Sequence, residues 1–202
     1  MSVRVKICGI TTPEDAKLAI ACGADLIGLN FYPPSPRYVD RDRACRIREV
    51  IGGRAIVVGL FVNAASEHIE ECRRELGLDM LQFHGDEGES VISGWPVKVI
   101  RAMRVQPDTA ETTYTTDADY RLLDTFHPGL YGGTGRRLAA AWLGAADLSR
   151  TILAGGLTPE NVAEAVALKP YAVDVAGGVE SAPGVKDPAK LRSFIAYAKS
   201  SR

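Results

Sequence analysis

The chain of 202 residues has few of the side chains that form disulfides or bind metals. It contains four cysteines and three histidines, and no two cysteines stand in a CxxC pair. The histidines also lack the spacing of a zinc-binding motif. We therefore expect neither a disulfide nor a structural zinc ion, and we assign no residue to a metal.

Excess charge and long apolar runs are also missing. Lysine and arginine number 24 and acidic residues 25, which gives a net charge of −1 without a long basic run. A nucleic acid would gain little from such a charge balance. No apolar run approaches the length of a membrane span, and the N-terminus lacks the pattern of a signal peptide. The sequence therefore predicts no nucleic-acid or membrane partner and a cytoplasmic location.

What the chain does contain is a regular alternation of β-branched runs with amphipathic or capped segments. Its length and its apolar content of 46% suit one domain, expected over residues 1–202. Strands are predicted at 3–8, 25–31, 55–62, 80–84, 97–102, 120–125, 151–154 and 172–175. Helical segments are predicted at 12–22, 41–51, 65–76, 89–93, 108–117, 139–143, 159–168 and 188–200.

This alternation predicts an α/β fold with parallel strands. Runs such as 55–62 are apolar throughout, which is typical of strands buried on both faces. Eight repeats predict a single closed (β/α)₈ barrel, the TIM-barrel architecture. The chain is short for that fold, so several helices must be short or degenerate, above all in the fourth and fifth units. A doubly wound open sheet is the alternative, although its glycine signature would follow the first strand.

Residues at the ends of strands are the candidates for chemistry, because barrel active sites lie there. Cys8 ends the first strand, and we expect its thiol to face solvent, although free cysteines are often buried. Asp124 ends the sixth, where desolvation would raise the pKa of its carboxyl and suit it to act as a general acid. A turn aspartate would explain Asp124 as well. Asn63 and Gln82 either line the mouth of the barrel or satisfy turn backbone.

Two glycine pairs follow the last two strands, Gly155-Gly156 and Gly177-Gly178. Glycine turns can present N–H groups to an anion, and loops after strands seven and eight commonly bind phosphate in barrels. We also expect Thr158 and Pro159 to begin a helix whose dipole favours negative charge. The pairs therefore predict a phosphate site, against the simpler interpretation of tight turns without a ligand.

Other loops add weaker candidates. Arg37 lies in a proline-rich loop after strand two, and its planar fork matches a carboxylate, although a loop arginine is more often solvated. His84 and His127 have no visible partner, and His84 is the better candidate because it ends strand four. The glycine loop 129–135 is suited to closing over a ligand.

Several motifs occur in a fixed order along the chain: KICGIT at 6–11, FYPPSPRY at 31–38, GLFVN at 59–63, QFHG at 82–85, GGTG at 132–135, LAGGL at 153–157 and VDVAGGVESAPGVKD at 173–187. Together they resemble the phosphoribosylanthranilate isomerase family. The resemblance spans the chain, and seven motifs at consistent spacing are highly specific.

This resemblance implies an enzyme of tryptophan biosynthesis. The reaction is an Amadori rearrangement of N-(5′-phosphoribosyl)anthranilate to 1-(2-carboxyphenylamino)-1-deoxyribulose 5-phosphate. By the family's pattern Asp124 is the general acid and Cys8, as thiolate, the base, so neither a redox cofactor nor a metal is required. Arg37 would hold the anthranilate carboxylate, and the glycine pairs would hold the phosphate. The remaining residues assigned to substrate binding are His84, Gly133 and Asp174.

The chain departs from the family's pattern at two places. After Gly135 the family usually has a lysine and a Phe-Asp-Trp run, whereas residues 136–142 read RRLAAAW. Before the last motif's Gly-Val-Glu the family usually carries serines, which Ala176 and Gly177 replace here. We expect weaker contact with phosphate, since only backbone N–H groups remain there to bind it.

Two other functions compete with this interpretation. The histidine-pathway aminoimidazole carboxamide ribotide isomerase is a related barrel, but it uses two aspartates where strand one here ends in Cys8. A barrel that binds a sugar phosphate without catalysis is the second alternative. We expect a phosphorylated small molecule as ligand and either a monomer or a homodimer.

Overall fold

A computed structural model describes residues 3–105, 116–125 and 147–200 of the chain. Within these ranges eight parallel strands close into a barrel, in which each strand pairs with the next and β8 pairs with β1. The predicted (β/α)₈ barrel is therefore confirmed. The strands are β1 Arg4–Cys8, β2 Leu26–Asn30, β3 Ile56–Phe61, β4 Met80–Phe83, β5 Lys98–Val105, β6 Tyr120–Thr125, β7 Thr151–Leu153 and β8 Ala172–Val175.

Helices pack around this barrel, and two of those described are short, as expected from the chain length. They are α1 Pro13–Ala21, α2 Arg41–Ile51, α3 Ser66–Leu76, α4 Glu89–Ile92, α5 Val162–Ala167 and α6 Pro188–Ser200. The fourth helix has only 4 residues. The predicted helix 139–143 and nearly all of 108–117 lie outside the described residues. None of the described helices is long and apolar enough to cross a membrane.

Side-chain caps explain where two helices begin. The hydroxyl of Thr12 accepts the N–H of Asp15 at the start of α1, at 3.1 Å. The carboxylate of Asp40 accepts the N–H of Arg43 at the start of α2, at 2.8 Å. Each bond satisfies a backbone donor that has no partner inside its helix. These caps fix the points at which the chain leaves the loops after β1 and β2.

The interior of the barrel is layered because every second residue of a strand points inward. Its lower layer is apolar and consists of Leu26, Val58, Met80, Ile100, Leu122, Ile152 and Ala172. Two residues further along β4, β6 and β8 come Gln82, Asp124 and Asp174, which, like Lys6 of β1, are buried polar residues. The apolar layer is thus a packed base for the cavity, and the polar layer lies above it, near the carboxyl ends of the strands.

Three aspartates brace the opposite end of the barrel. Each stands immediately before an even-numbered strand, and its carboxylate accepts a backbone N–H from the preceding strand. Asp25, Asp79 and Asp119 make these bonds at 2.7, 2.8 and 2.9 Å. They hold the amino-terminal ends of the strand pairs β1–β2, β3–β4 and β5–β6 together, away from the polar layer.

A short hairpin after β8 was not predicted. A 3₁₀ helix, Gly177–Val179, leads into β9, Glu180–Ala182, which pairs antiparallel with β10, Val185–Lys186. Strands of three and two residues are too short to show a period of two. The hairpin contacts the loop after β1, because Thr11 Oγ1 donates a hydrogen bond to the Gly184 carbonyl at 2.6 Å.

Candidate active site

A cavity of about 760 Å³ opens at the carboxyl-terminal end of the barrel. Nine of the ten predicted site residues line it, whereas Gly133 lies outside the described residues. The nine are Cys8, Arg37, His84, Asp124, Gly155, Gly156, Asp174, Gly177 and Gly178. A second cavity, of about 500 Å³ at the opposite end, contains none of them. The polar layer and the turns above it therefore converge on one site.

Cys8 is the last residue of β1, as predicted, but its thiol does not face open solvent. The residue is buried, at 7% exposure, and lines the cavity wall. The loops that follow β2 and β8 line the same cavity and cover this strand end. The expectation of a solvent-facing thiol was therefore wrong, although Cys8 remains accessible to a ligand in the cavity.

The charges around Cys8 act in opposite directions. Burial raises the pKa of the Cys8 thiol, and the Asp174 carboxylate raises it further. The ammonium groups of Lys6 and Lys186 oppose both effects, because a positive charge favours the thiolate. The net result is a thiol pKa above its ordinary value.

Lys6 was not predicted as part of the site. Its ammonium lies 2.8 Å from Asp174 Oδ1, and its side chain is fully buried. Although burial opposes its charge, Asp174 and Cys8 favour it, so the pKa of Lys6 is raised. A lysine inside an apolar strand, two residues before Cys8 and on the same face, was the signal in the sequence.

His84 lies beside Asp124, with Nε2 and Oδ2 3.7 Å apart. Burial lowers the pKa of His84 to about 4, and the neighbouring cations Lys6, Arg104 and Arg101 add to this effect. The imidazole is therefore neutral at pH 7. The Gln82 amide lies 3.2 Å from His84 Nδ1, and donation by its Nε2 places the ring proton on Nε2, facing Asp124.

The two amide side chains at strand ends have different roles. Asn63 serves its turn, because its Oδ1 accepts the N–H of Asp86 and its own N–H donates to Glu87. Gln82 lines the cavity and is 1% exposed. Its Oε1 has no hydrogen-bond partner within the described residues. Of the two alternatives in the sequence, turn support thus applies to Asn63 and cavity lining to Gln82.

The glycine pairs shape the turns after β7 and β8. Gly155 and Gly156 have φ of 84° and 64°, values that favour glycine. Gly178 lies against the other turn, since a Cβ there would stand 1.8 Å from the Leu157 carbonyl oxygen. Contact this close brings the two turns side by side at the rim of the cavity.

The expected helix start at Thr158 and Pro159 was wrong. Residues 159–161 form a turn, and α5 begins only at Val162 and has 6 residues. The Asn161 side chain accepts the Thr158 N–H at 2.8 Å and donates to the Gly156 carbonyl at 3.0 Å. The Thr158 carbonyl also accepts the N–H groups of Asn161 and Val162, at 3.2 and 3.1 Å, so one hydrogen-bonded turn precedes the short helix.

Arg37 faces the cavity while its fork is already engaged. Its Nε and one terminal nitrogen donate to the two oxygens of Glu180, at 2.9 and 2.7 Å. Lys186 donates to the same carboxylate at 2.8 Å and to the Cys8 carbonyl at 2.7 Å. Glu180 and Lys186 both lie in the last sequence motif, but the contact of Glu180 with Arg37 depends on the tertiary fold.

Metal-binding clusters are absent from the described ranges, which contain no group of three or more His, Cys, Asp and Glu side chains able to hold an ion.

The whole of this barrel matches one family of proteins. The family model for N-(5′-phosphoribosyl)anthranilate (PRA) isomerase matches residues 5–197. The chain belongs to this family. The PRA isomerase of Myxococcus xanthus is 47% identical over 210 residues, which cover 99% of this chain and 98% of that protein.

Solved PRA isomerase structures agree in fold. The enzyme from Thermus thermophilus superposes with a TM-score of 0.88 at 39% identity, covering 99% of this chain and 100% of the other. Another PRA isomerase, in complex with reduced 1-(o-carboxyphenylamino)-1-deoxyribulose 5-phosphate, has a TM-score of 0.78 at 34% identity and covers 98% of each chain.

Proposed function

We propose that the protein isomerises N-(5′-phosphoribosyl)anthranilate in tryptophan biosynthesis, with Asp124 as general acid and Cys8 as general base. Membership of the family makes the chain an isomerase. The observation that carries the residue roles is the position of Cys8 on β1 and Asp124 on β6, both lining one cavity with the two glycine turns at its rim.

In the first step Asp124 protonates the furanose ring oxygen, and the sugar opens to a Schiff base. The carboxyl is 8% exposed, so bulk water has little access to the proton being transferred. The neutral His84 lies beside it, with Nε2 3.7 Å from Oδ2, and its N–H dipole would favour the carboxylate after the proton has left. Asp124 therefore has to contact only one atom of the substrate, the furanose ring oxygen.

In the second step the Cys8 thiolate removes the proton from C2′, and the enolamine relaxes to the ketone. The Lys6 and Lys186 ammonium groups favour this thiolate against the effect of burial. Both steps move protons without a net change of oxidation state in the substrate, so the reaction needs no external oxidant or reductant.

Substrate binding is divided among the remaining residues of the cavity. The planar fork of Arg37 suits the anthranilate carboxylate. The glycine turns after β7 and β8 suit the phosphate, which would be held by backbone N–H groups because Ala176 has no hydroxyl. His84 and Asp174 line the wall between these ends, and Gly133 stays a prediction from the motif.

The two competing functions, the histidine-pathway isomerase and the barrel that only binds a sugar phosphate, have less support. The histidine-pathway isomerase uses two aspartates, whereas β1 here ends in a thiol that lines the cavity. A binding-only barrel has no need of an acid and a base in one cavity. The cytoplasmic location, the single domain 1–202 and the monomeric or homodimeric state stay predictions.

The test follows the fluorescence of N-(5′-phosphoribosyl)anthranilate, formed in the assay from anthranilate and phosphoribosyl pyrophosphate. The wild-type protein should accelerate its decay, and Cys8→Ala and Asp124→Asn should not. Cys8→Ala should still bind a product analogue within about tenfold of wild type, because a small thiol adds little uniform binding. Turnover by Asp124→Asn at neutral pH would assign the acid to another group.

A further inference from the structure

Glu180 is a buried carboxylate that the proposed chemistry does not use. It lies at the start of β9, and its side chain is 4% exposed. Glu180 is not among the residues that line the cavity, whereas its partner Arg37 is. It therefore stands behind Arg37 as seen from a ligand in the cavity.

Three charge-assisted hydrogen bonds hold this carboxylate. Arg37 supplies two, at 2.9 and 2.7 Å, and Lys186 supplies the third, at 2.8 Å. Burial alone would raise the pKa of Glu180, but the bonds from Arg37 and Lys186 outweigh it, so this pKa is lowered. The pKa of Arg37 is raised, chiefly by its hydrogen bonds to Glu180. The pair is thus fully ionised.

The paired geometry determines where Arg37 can point. A guanidinium group has five N–H donors in one plane, and Glu180 takes two of them along one edge. The three donors left therefore lie on the other edges of the same plane. Gly177 packs close by, since a Cβ there would lie 3.4 Å from the Arg37 terminal nitrogen. A freely rotating arginine would instead lose its side-chain entropy on binding a ligand.

Lys186 links this arrangement to the base. Its fully buried ammonium donates to the Cys8 carbonyl at 2.7 Å and to the Ala176 carbonyl at 3.1 Å, besides Glu180. Glu180 is therefore connected through one ammonium to the ends of β1 and β8. The hairpin that carries both residues thus fixes Arg37 relative to Cys8.

We infer that Glu180 is a positioning residue, which pre-orients the Arg37 guanidinium to receive the substrate carboxylate and keeps it in register with Cys8 through Lys186. This inference rests on the proposed role of Arg37. Glu180 does not contact the substrate, and its contribution should appear only for ligands that carry the carboxylate.

Two ligands separate positioning from a general structural role. Calorimetry would measure the affinity of reduced 1-(o-carboxyphenylamino)-1-deoxyribulose 5-phosphate and of the same molecule without its carboxyl group. The ratio of the two affinities is the carboxylate preference, in which any general loss of binding cancels. The variants are Glu180→Gln, Glu180→Asp, Arg37→Met and the double variant Glu180→Gln/Arg37→Met. Glu49→Gln is the matched control, since it removes the same charge from an exposed helix position.

Glu180→Gln should lower the carboxylate preference by about tenfold or more, which corresponds to about 1.4 kcal/mol. Glu180→Asp keeps the negative charge on a shorter side chain, so its carboxylate preference should fall by less than that of Glu180→Gln. Glu180→Gln should cause no further loss once Arg37 is Met, and Glu49→Gln should leave the preference unchanged.

Other outcomes would overturn the inference. An unchanged preference in Glu180→Gln would make Glu180 structural only, and an increased preference would make it a competitor of the substrate for Arg37. If Glu180→Gln does not fold, Glu180→Asp takes its place in the test. A folded Glu180→Asp with the wild-type carboxylate preference would also overturn the inference. A wild-type preference in Arg37→Met would instead refute the proposed role of Arg37.

Discussion

Cys8 and Gly28 are direct partners in the pairing of β1 with β2. A Cβ at position 28 would stand 2.8 Å from Cys8 Sγ and 3.1 Å from the Cys8 Cα. The neighbouring strand therefore leaves room for the thiol only because it lacks a side chain at this point. The position of the proposed base depends on a residue that cannot itself take part in the reaction.

Gly28→Ala should reduce activity more than stability. The thiol nearest to the new methyl group can rotate away, but the Cys8 Cα, at 3.1 Å, is backbone and must shift by a few tenths of an ångström, so the protein should also become somewhat less stable. A displacement of about 1 Å at a reacting group can lower turnover on the order of a hundredfold. We expect such a loss in kcat with a melting temperature that falls by only about 2–4 °C, the shift that about 1 kcal/mol causes in a protein of this size.

Gly88→Ala is the matched control for this experiment, because a Cβ there meets nothing within 4 Å and its φ is −74°. It should keep full activity. A Gly28→Ala enzyme with wild-type kcat would show that the thiol does not need its present position.

The activity should rise with pH for as long as the proposed acid, Asp124, stays protonated. The thiolate is the active form of Cys8, and burial raises the pKa of this thiol above its ordinary value of 9.0. Well below that pKa the thiolate fraction grows about tenfold per pH unit. We therefore expect kcat/KM to increase about tenfold per pH unit while Asp124 is protonated, and to level off once this carboxyl has lost its proton.

An independent measurement of the same pKa is available from alkylation. The rate at which iodoacetamide modifies the Cys8 peptide, followed by mass spectrometry, should rise with pH in parallel with kcat/KM. Alkylation that reaches its plateau while kcat/KM is still rising would separate the base from this thiol.

His84 should make the protein sensitive to acid. The pKa of His84 in the folded protein is about 4, against 6.5 for an ordinary histidine. Between these values the unfolded chain binds a proton that the folded protein does not, so stability is full above pH 6.5 and is lost as the pH falls. The shift corresponds to a loss of up to about 3 kcal/mol by pH 4.

Urea unfolding of wild type and His84→Gln at pH 7 and pH 4.5 would measure this effect. The variant should lose less of its free energy of unfolding between the two pH values than the wild type does. His68→Gln, which changes an exposed histidine on α3, should behave like the wild type. If all three proteins lost the same free energy of unfolding, protonation of His84 would not destabilise the folded protein.

The barrel could be predicted because its strands have a strong local signal. The run 55–62 is apolar at every position and rich in β-branched residues, which is typical of strands buried on both faces. The first strand was placed within one residue for the same reason. By contrast, α5 begins after a turn that the Asn161 side chain closes. Such a bond depends on which way one side chain turns, and composition does not show it.

The candidate site could be predicted in part, for a similar reason. Cys8 and Asp124 follow from their positions at strand ends once a barrel is assumed. Glu180 could not be connected with Arg37, because 143 residues separate them and only barrel closure brings the last loop beside the second. Lys6 was missed because its partner Asp174 is 168 residues away in the sequence, and only closure of the barrel between β8 and β1 brings this carboxylate to the lysine.

Two neighbouring glycines after β8 should respond very differently to the same substitution. A Cβ on Gly178 would stand 1.8 Å from the Leu157 carbonyl oxygen, and backbone cannot rotate away as a side chain can. Gly178→Ala must therefore push apart the turns after β7 and β8, between which we place the phosphate. A Cβ on Gly177 would meet only the Arg37 terminal nitrogen, at 3.4 Å.

We expect Gly178→Ala to raise the inhibition constant of a phosphorylated product analogue by tenfold or more, on the order expected for a displaced anion site, and to lower the melting temperature. Gly177→Ala should change both by much less. The decisive comparison uses the analogue with and without its phosphate, because only the phosphorylated form should lose affinity in Gly178→Ala. If both forms lose affinity equally, the two turns support the cavity as a whole and the phosphate binds elsewhere.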